Sequence, residues 1–336
     1  MFGISTAVAA VISFGVTALL GFWLIPMLRR LHFGQPIKEI GPTWHKKKEG
    51  TPTMGGLLFA IGISAAIVAA MALFPAEQRS AILPQSVVNA RLWGGLVMAL
   101  AMGFMGFMDD YIKVVKKHNL GLRARAKIIF QVLVTVGYLA TLYIAGDHST
   151  TVWFPFLGTL DFGIFYYPFA AFLIVGFVNA VNLTDGIDGL NGSVTFLYGI
   201  SFVLLTSMTG MREMTVPAIA LAGGCLGYLI WNFHPAKVFM GDTGSMFLGG
   251  MVVALAFGVG LPLLLLLCGI VYLCEALSVM LQVGFFKLTH KRIFKMSPIH
   301  HHFEMSGFSE NKIVALFSLV CALGCAAGVA AVALMK

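Results

Sequence analysis

The chain has 336 residues, of which 59% are hydrophobic and only 11% charged, and its mean hydropathy is +0.90. Such a composition excludes an ordinary soluble domain and indicates a polytopic membrane protein. The net charge of +8 reads as membrane topology plus attraction to anionic lipid and phosphate, not as a nucleic-acid-binding surface.

Ten apolar stretches follow one another, at about 4–28, 54–74, 92–108, 127–146, 165–181, 190–209, 215–231, 244–260, 262–286 and 312–335, each near the length that crosses a bilayer as a helix. They are too long and too uniformly apolar for barrel strands, which alternate over roughly ten residues. The Gly and Pro inside several of them are tolerated where membrane helices pack. The expected fold is therefore an all-α polytopic membrane bundle of ten transmembrane helices in a single domain, residues 1–336. All but four of the 22 Lys and Arg residues fall in one alternate set of connecting segments, the exceptions being Arg79, Arg91, Arg212 and Lys336. The positive-inside rule assigns that set to the cytoplasm and both termini to the periplasmic side. The first stretch has neither a basic leader nor a small-residue cleavage site and is expected to remain as a helix. The five cysteines all lie in apolar stretches without CxxC spacing and read as small buried hydrophobes.

Five of the seven aspartates stand at ends of these stretches, all on the side assigned to the cytoplasm. Carboxylates so close to lipid are costly and mark a functional site. The first cytoplasmic segment contains Lys46-Lys47-Lys48 and then Gly50-Thr51-Pro52-Thr53. Its lysines read either as headgroup anchors or as a cationic rim for a polyanion, with hydroxyls and bare backbone following where the second helix begins. In the second segment Asp109 and Asp110 precede Lys113 at helical spacing. Adjacent carboxylates repel each other and make poor anchors, which favours a chemical role. In the third, Asn179, Asn182, Asp185, Asp188 and Asn191 recur every three residues, interleaved with Gly186, Gly189 and Gly192. So glycine-rich a run is a poor continuous helix and fits a broken turn lining a polar cavity. In the fourth, Asp242 sits between Gly241 and Thr243-Gly244-Ser245, placed either to cap the next helix or to meet a phosphate. The fifth, a long basic loop, carries His300, His301 and His302; adjacent histidines diverge and do not build a zinc site. Glu275, the one acid inside an apolar stretch, has no role assigned by its sequence context. A P-loop, GxxxxGK[ST], does not occur in the chain.

Clustered Asp and Asn with hydroxyls select a hard, oxygen-loving cation. Mg²⁺ takes one or two carboxylates and completes its octahedron with water and substrate phosphate. The implied reaction is phosphoryl transfer, in which positioning and charge neutralisation supply most of the acceleration. One substrate is expected to be a soluble nucleotide-linked donor and the other lipid-borne.

KEGTPTMGG, MDDYIK, NAVNLTDGIDGL, FMGDTGS and MSPIHHHFE together resemble the signatures of the polyprenyl-phosphate N-acetylhexosamine phosphotransferases. The order matches, and SPIHHHFE points to the branch whose donor is UDP-N-acetylmuramoyl-pentapeptide rather than the N-acetylglucosamine branch. That resemblance implies transfer of the donor's phospho-sugar to undecaprenyl phosphate at the bacterial inner membrane, giving lipid I and UMP in peptidoglycan synthesis. It implies a homodimer, Mg²⁺ as cofactor with Asp242 as its ligand, and Asp109 and Asp110 as further essential acids. It also implies that Asn182, Asp185, Asp188, Asn232 and Phe239 line the uridine side, and that Lys48, Thr53, Lys113, Lys127 and His300–His302 approach the donor or its phosphates. Because the lipid phosphate has its second pKa at roughly 6, direct attack is expected, with a covalent aspartyl-phosphate as the alternative. A transferase for another UDP-N-acetylhexosamine remains open, as does a transporter, although a transport path places its charges nearer the midplane than these.

Overall fold

The computed structural model describes residues 3–31, 50–114 and 121–335. Thirteen α-helices occur among them: α1 Ile4–Arg30, α2 Gly56–Ala72, α3 Gln85–Asn89, α4 Gly95–Val114, α5 Ala124–Ile144, α6 Tyr166–Thr184, α7 Leu190–Met208, α8 Thr215–Asn232, α9 Gly241–Gly258, α10 Leu264–Cys268, α11 Ile270–Thr289, α12 Ile299–Glu304 and α13 Glu310–Ala333. A π-helical turn, Ala90–Gly94, runs α3 into α4 and makes one long element, Gln85–Val114. Nine helical elements among the described residues are long and apolar enough to cross a membrane, and α2, at 17 residues, is a shorter apolar helix. The stretch read from the sequence as 262–286 is divided at Gly269 into α10 and α11. A feature not anticipated is a small antiparallel hairpin between α5 and α6, β1 Thr151–Phe154 and β2 Gly158–Asp161, in the register Thr151↔Asp161 to Phe154↔Gly158.

Helix α9 is the axis of the bundle. In it 94% of the apolar window is buried, against 28% in α1, α5 and α11, so α9 is walled in by the protein while those three leave most of their surface uncovered by it. Its composition explains the position. After Asp242 it carries no charge, and Gly244, Gly249 and Gly250 allow neighbours to approach closely, as small residues do wherever membrane helices pack without a hydrophobic driving force.

Helix α4 comes very close. A Cβ at Gly106 would lie 2.1 Å from the Asp242 carbonyl oxygen, and one at Gly250 would lie 2.5 Å from the Ala99 Cα. Helix α2 meets the same first turn from another side, where a Cβ at Gly56 would fall 2.1 Å from the Gly244 Cα. Backbone bonds extend that contact: Phe239 N–H donates to the Pro52 carbonyl and Gly55 N–H to the Phe239 carbonyl, both at 2.8 Å. The first turn of α9 is thus clamped between the end of α4 and the beginning of α2, and that clamp positions the polar residues described below.

Gly106→Ala places a methyl against backbone that has no room to yield. It is expected to cost about 1–3 kcal/mol through overpacking, read as a lower thermal unfolding midpoint of the detergent-solubilised protein.

Candidate active site

Four charged side chains form a closed ring at the α4–α9 junction. Lys113, in the last turn of α4, lies 2.6 Å from Asp109 Oδ2 and 3.1 Å from Asp242 Oδ2; Lys127, in the first turn of α5, lies 2.9 and 2.8 Å from the same two oxygens. Each ammonium therefore touches both carboxylates. The Lys113 contact to Asp109 comes from spacing alone, one helical turn apart; Lys127 arrives from a different helix. Asp109 is fully buried, while the Lys113, Lys127 and Asp242 side chains are 30%, 21% and 20% exposed, so the ring opens on the side away from Asp109. Asp109 Oδ1 accepts the Leu122 N–H at 2.6 Å. Its Oδ2 is held by the two ammonium groups.

Asp110 faces the other way. Its Oδ1 accepts the Asp242 N–H at 3.2 Å, and its Oδ2 accepts the Thr243 N–H at 2.9 Å and the Thr243 hydroxyl at 2.7 Å. It caps α9 from outside that helix, satisfying amides that the helix itself leaves unpaired. Gly241 makes the grip possible. It sits at φ +69°, and a Cβ there would come within 2.5 Å of Asp110 Oδ2 and 2.7 Å of the Thr53 hydroxyl, which also locates buried Thr53 beside the cap.

Asn182, near the end of α6, donates to Asp242 Oδ1 at 3.1 Å and to Ser245 Oγ at 2.7 Å, so it orients the metal-ready carboxylate. The turn from α6 to α7 then brings Asp185 beside the ring. Its carboxylate accepts no hydrogen bond among the described residues. Its pKa is raised well above the ordinary value of 3.8, first because burial strips water from it and then because Asp242, Asp110 and Asp188 add negative potential.

Asp188 and Asn232 do structural work in the same turn. Asp188 Oδ2 takes the Ala236 N–H and meets His234 Nδ1, both at 3.0 Å, while its own N–H donates to Glu310 Oε2 at 3.0 Å. Asn232 accepts the Gly189 N–H at 3.0 Å and donates to the Val238 carbonyl at 2.9 Å. Phe239 is half-buried, its backbone tied to Pro52 and Gly55 as described above. The histidines diverge as adjacent residues must. His300 is buried and meets Glu275 Oε2 at 3.0 Å, His301 meets Glu304 Oε2 at 2.6 Å, and His302 accepts the Lys295 N–H at 3.2 Å. Lys48 lies outside the described residues.

Several contributors were not legible beforehand. Glu310 and His234 lie just outside the motifs, and only their arrival beside Asp188 reveals them. Thr243 and Ser245 were visible as hydroxyls in GDTGS, but nothing in their spacing assigned them to Asp110 and Asn182. Two sets offer ligand atoms all within 4.8 Å of one another: Asp109, Asp110 and Asp242, and separately Asp188, His234 and Glu310. The first consists entirely of carboxylates and fits a hard divalent cation. In the second, the bonds to Ala236 and between its own members already account for the geometry of Asp188.

A helical membrane bundle with a carboxylate–lysine ring at the helix ends, three of whose neighbouring carboxylates could hold a metal ion, has the form of an integral-membrane transferase. The family model for glycosyl transferase family 4 matches residues 92–260, and signature 1 of phospho-N-acetylmuramoyl-pentapeptide-transferase matches residues 48–59. The chain is 47% identical over 311 residues to a phospho-N-acetylmuramoyl-pentapeptide-transferase of Heliobacterium modesticaldum, covering 92% of each. It is 45% identical to that of Clostridium perfringens, over 94% of this chain and 95% of the relative, and 42% identical to that of Clostridioides difficile, over 93% and 92%. The chain belongs to the phospho-N-acetylmuramoyl-pentapeptide-transferase family.

The raised pKa of Asp185 means that the folded protein holds a proton there which the unfolded chain releases at lower pH. Stability from this group is therefore complete below the ordinary carboxylate range and declines as pH rises above about 4. Asp185→Asn removes the effect. Its thermal midpoint is expected to gain on that of the wild type as pH is raised from acidic to neutral, with the two converging at the acidic end.

Proposed function

We propose that this protein transfers phospho-N-acetylmuramoyl-pentapeptide from its UDP-linked donor to undecaprenyl phosphate, giving lipid I and UMP. The observation that carries the reading is the ring of Asp109, Asp242, Lys113 and Lys127, with Asp185 next to it at the mouth of the α6–α7 turn. The curated relatives bear the name of this activity over more than nine-tenths of the chain. The positive-inside distribution puts the ring on the cytoplasmic face of the bacterial inner membrane, with ten spans, periplasmic termini and a homodimer as the family would have it.

Mg²⁺ is the expected cation, held by Asp242 with Asp109, and when bound it supplies neutralisation of the pyrophosphate charge. The chain's own groups do the rest. Lys113 and Lys127 exchange their carboxylate partners for substrate phosphate oxygens as the donor enters. Asp110 holds the first turn of α9, and Asn182 holds Asp242, so that neither moves when charge develops. An oxygen of the lipid phosphate attacks the sugar-bearing phosphorus of the donor; the bond from that phosphorus to the oxygen shared with UMP breaks, and UMP leaves with the electron pair. One anhydride is made as another is lost, so no second energy source is needed.

Neither Asp109 nor Asp110 is well placed as a nucleophile. Both oxygens of Asp110 are engaged by the start of α9, and Asp109, fully buried, stays tied through Oδ1 to the Leu122 N–H when the lysines turn to phosphate. Direct attack is the reading these bonds favour. With donor alone, enzyme is expected to release no stoichiometric UMP; a burst equal to the enzyme concentration, with a trapped phospho-sugar adduct, would overturn direct attack.

Purified protein supplied with the UDP-linked donor, polyprenyl phosphate and Mg²⁺ is expected to release UMP, and each omission is expected to abolish it. Asp242→Asn is expected to lower turnover by about 100-fold or more and to flatten the Mg²⁺ dependence. An unchanged metal titration in that variant would remove Asp242 from the metal site.

A further inference from the structure

Glu275 lies in the second turn of α11 and is completely buried, and His300, in the short helix α12, is 1% exposed. Their contact, Glu275 Oε2 to His300 Nδ1 at 3.0 Å, joins two elements 25 positions apart in the chain. The remaining polar atoms of the pair, Glu275 Oε1 and His300 Nε2, are buried without a hydrogen-bond partner among the described residues. Stability alone does not account for this. Apolar residues of similar volume would fill the site without stranding two polar atoms, and unsatisfied buried groups call for another reason.

The direction of the ring supplies one. Carboxylate oxygens only accept, so Glu275 fixes the proton of the neutral imidazole on Nδ1 and turns Nε2 away from α11. That nitrogen is aimed at Gly186 in the α6–α7 turn, where a Cβ would lie 2.0 Å from it. Gly186 follows Asp185, the carboxyl group that stands beside the charged ring without a hydrogen bond among the described residues. The His301 ring packs on the His300 ring at a centroid distance of 4.1 Å and limits its rotation. A carboxylate, an imidazole and a bare glycine Cα are thus stacked in line behind the acidic turn.

We propose that Glu275 is a positioning residue for donor binding, acting through His300 on the turn that carries Asp185. The inference rests on the transfer reading above. Glu275 sets which nitrogen faces the turn; His300 supports the turn at Gly186; the turn presents Asp185 to the donor. Of the three consecutive histidines, His300 then serves the site from behind, whereas His301 and His302 make separate contacts.

The test uses full-length enzyme in detergent or proteoliposomes, with UMP release by wild type as the control that decides the transfer reading independently. Glu275→Leu, which withdraws the acceptor, and Gly186→Ala, which fills the space for the ring, are each expected to raise the KM for the UDP-linked donor by about 10-fold or more. The KM for polyprenyl phosphate is expected to stay at its wild-type value. Glu275→Gln retains an acceptor for the Nδ1 proton and is expected to restore the donor KM to near wild type, which a general requirement for negative charge would not do. The double variant Glu275→Leu/Gly186→Ala is expected to be no worse than the more severe single variant, since both break one line of contacts. Multiplying effects in the double variant would overturn the proposal, as would equal loss toward both substrates, a donor KM unaffected in Glu275→Leu, or a Gln variant as impaired as Leu. Should Glu275→Leu fail to fold, Glu275→Gln and Gly186→Ala carry the same comparison: an unaltered donor KM in Gly186→Ala, or a raised one in Glu275→Gln, overturns it.

Discussion

The site depends on the grip that Asp110 holds on the first turn of α9. A helix start buried inside a membrane protein has amide protons that neither water nor the helix can satisfy, and leaving them unpaired costs several kcal/mol each in so apolar a setting. Asp110 takes two of those amides and the Thr243 hydroxyl. It does so from α4, so the same bonds that complete one helix also fix its distance to another. Gly106 and Gly241 are the steric conditions of that grip, since side chains at either would occupy the space through which the two backbones and the carboxylate meet.

Once that junction is made, the chemistry follows from what is left over. Asp109 and Asp110 are adjacent and therefore diverge around α4, so that when Asp110 turns to α9, Asp109 is directed to Lys113 and Lys127. Asp242, held by its own backbone amide, turns its side chain to the same lysines. The resulting ring is electrically balanced, two ammonium groups against two carboxylates, with Asp109 at its buried end. Asp185, outside the ring and short of partners, bears the electrostatic cost of so many acids in one place.

A second level of support reaches the acidic turn from behind. Glu310 at the start of α13, Asn232 at the end of α8 and His300 from α12 each contact the short segment between α6 and α7. The segment is too rich in glycine to hold a shape by local propensity. Its geometry comes from neighbours contributed by the last third of the chain, which explains how a flexible sequence can form a defined wall of the site.

The apolar runs, their approximate ends and the placement of carboxylates at those ends were legible in the amino-acid order, because burial in lipid imposes long, uninterrupted hydrophobic segments and tolerates charge only where they stop. Asp109, Asp242, Lys113 and Asn182 could be nominated on the same ground. The break at Gly269, the π turn before α4 and the β1–β2 hairpin were not legible, since each is a local adjustment to packing that composition does not encode. Nor could position in the chain divide labour between Asp109 and Asp110, two identical neighbours, or among three consecutive histidines. Those roles were assigned by the direction of each side chain relative to a partner far away in sequence: Thr243 for Asp110, Lys127 for Asp109, Glu275 for His300. Hydrophobic patterning is a one-dimensional property and survives in the order of residues, whereas hydrogen-bond direction arises only after distant helices have met.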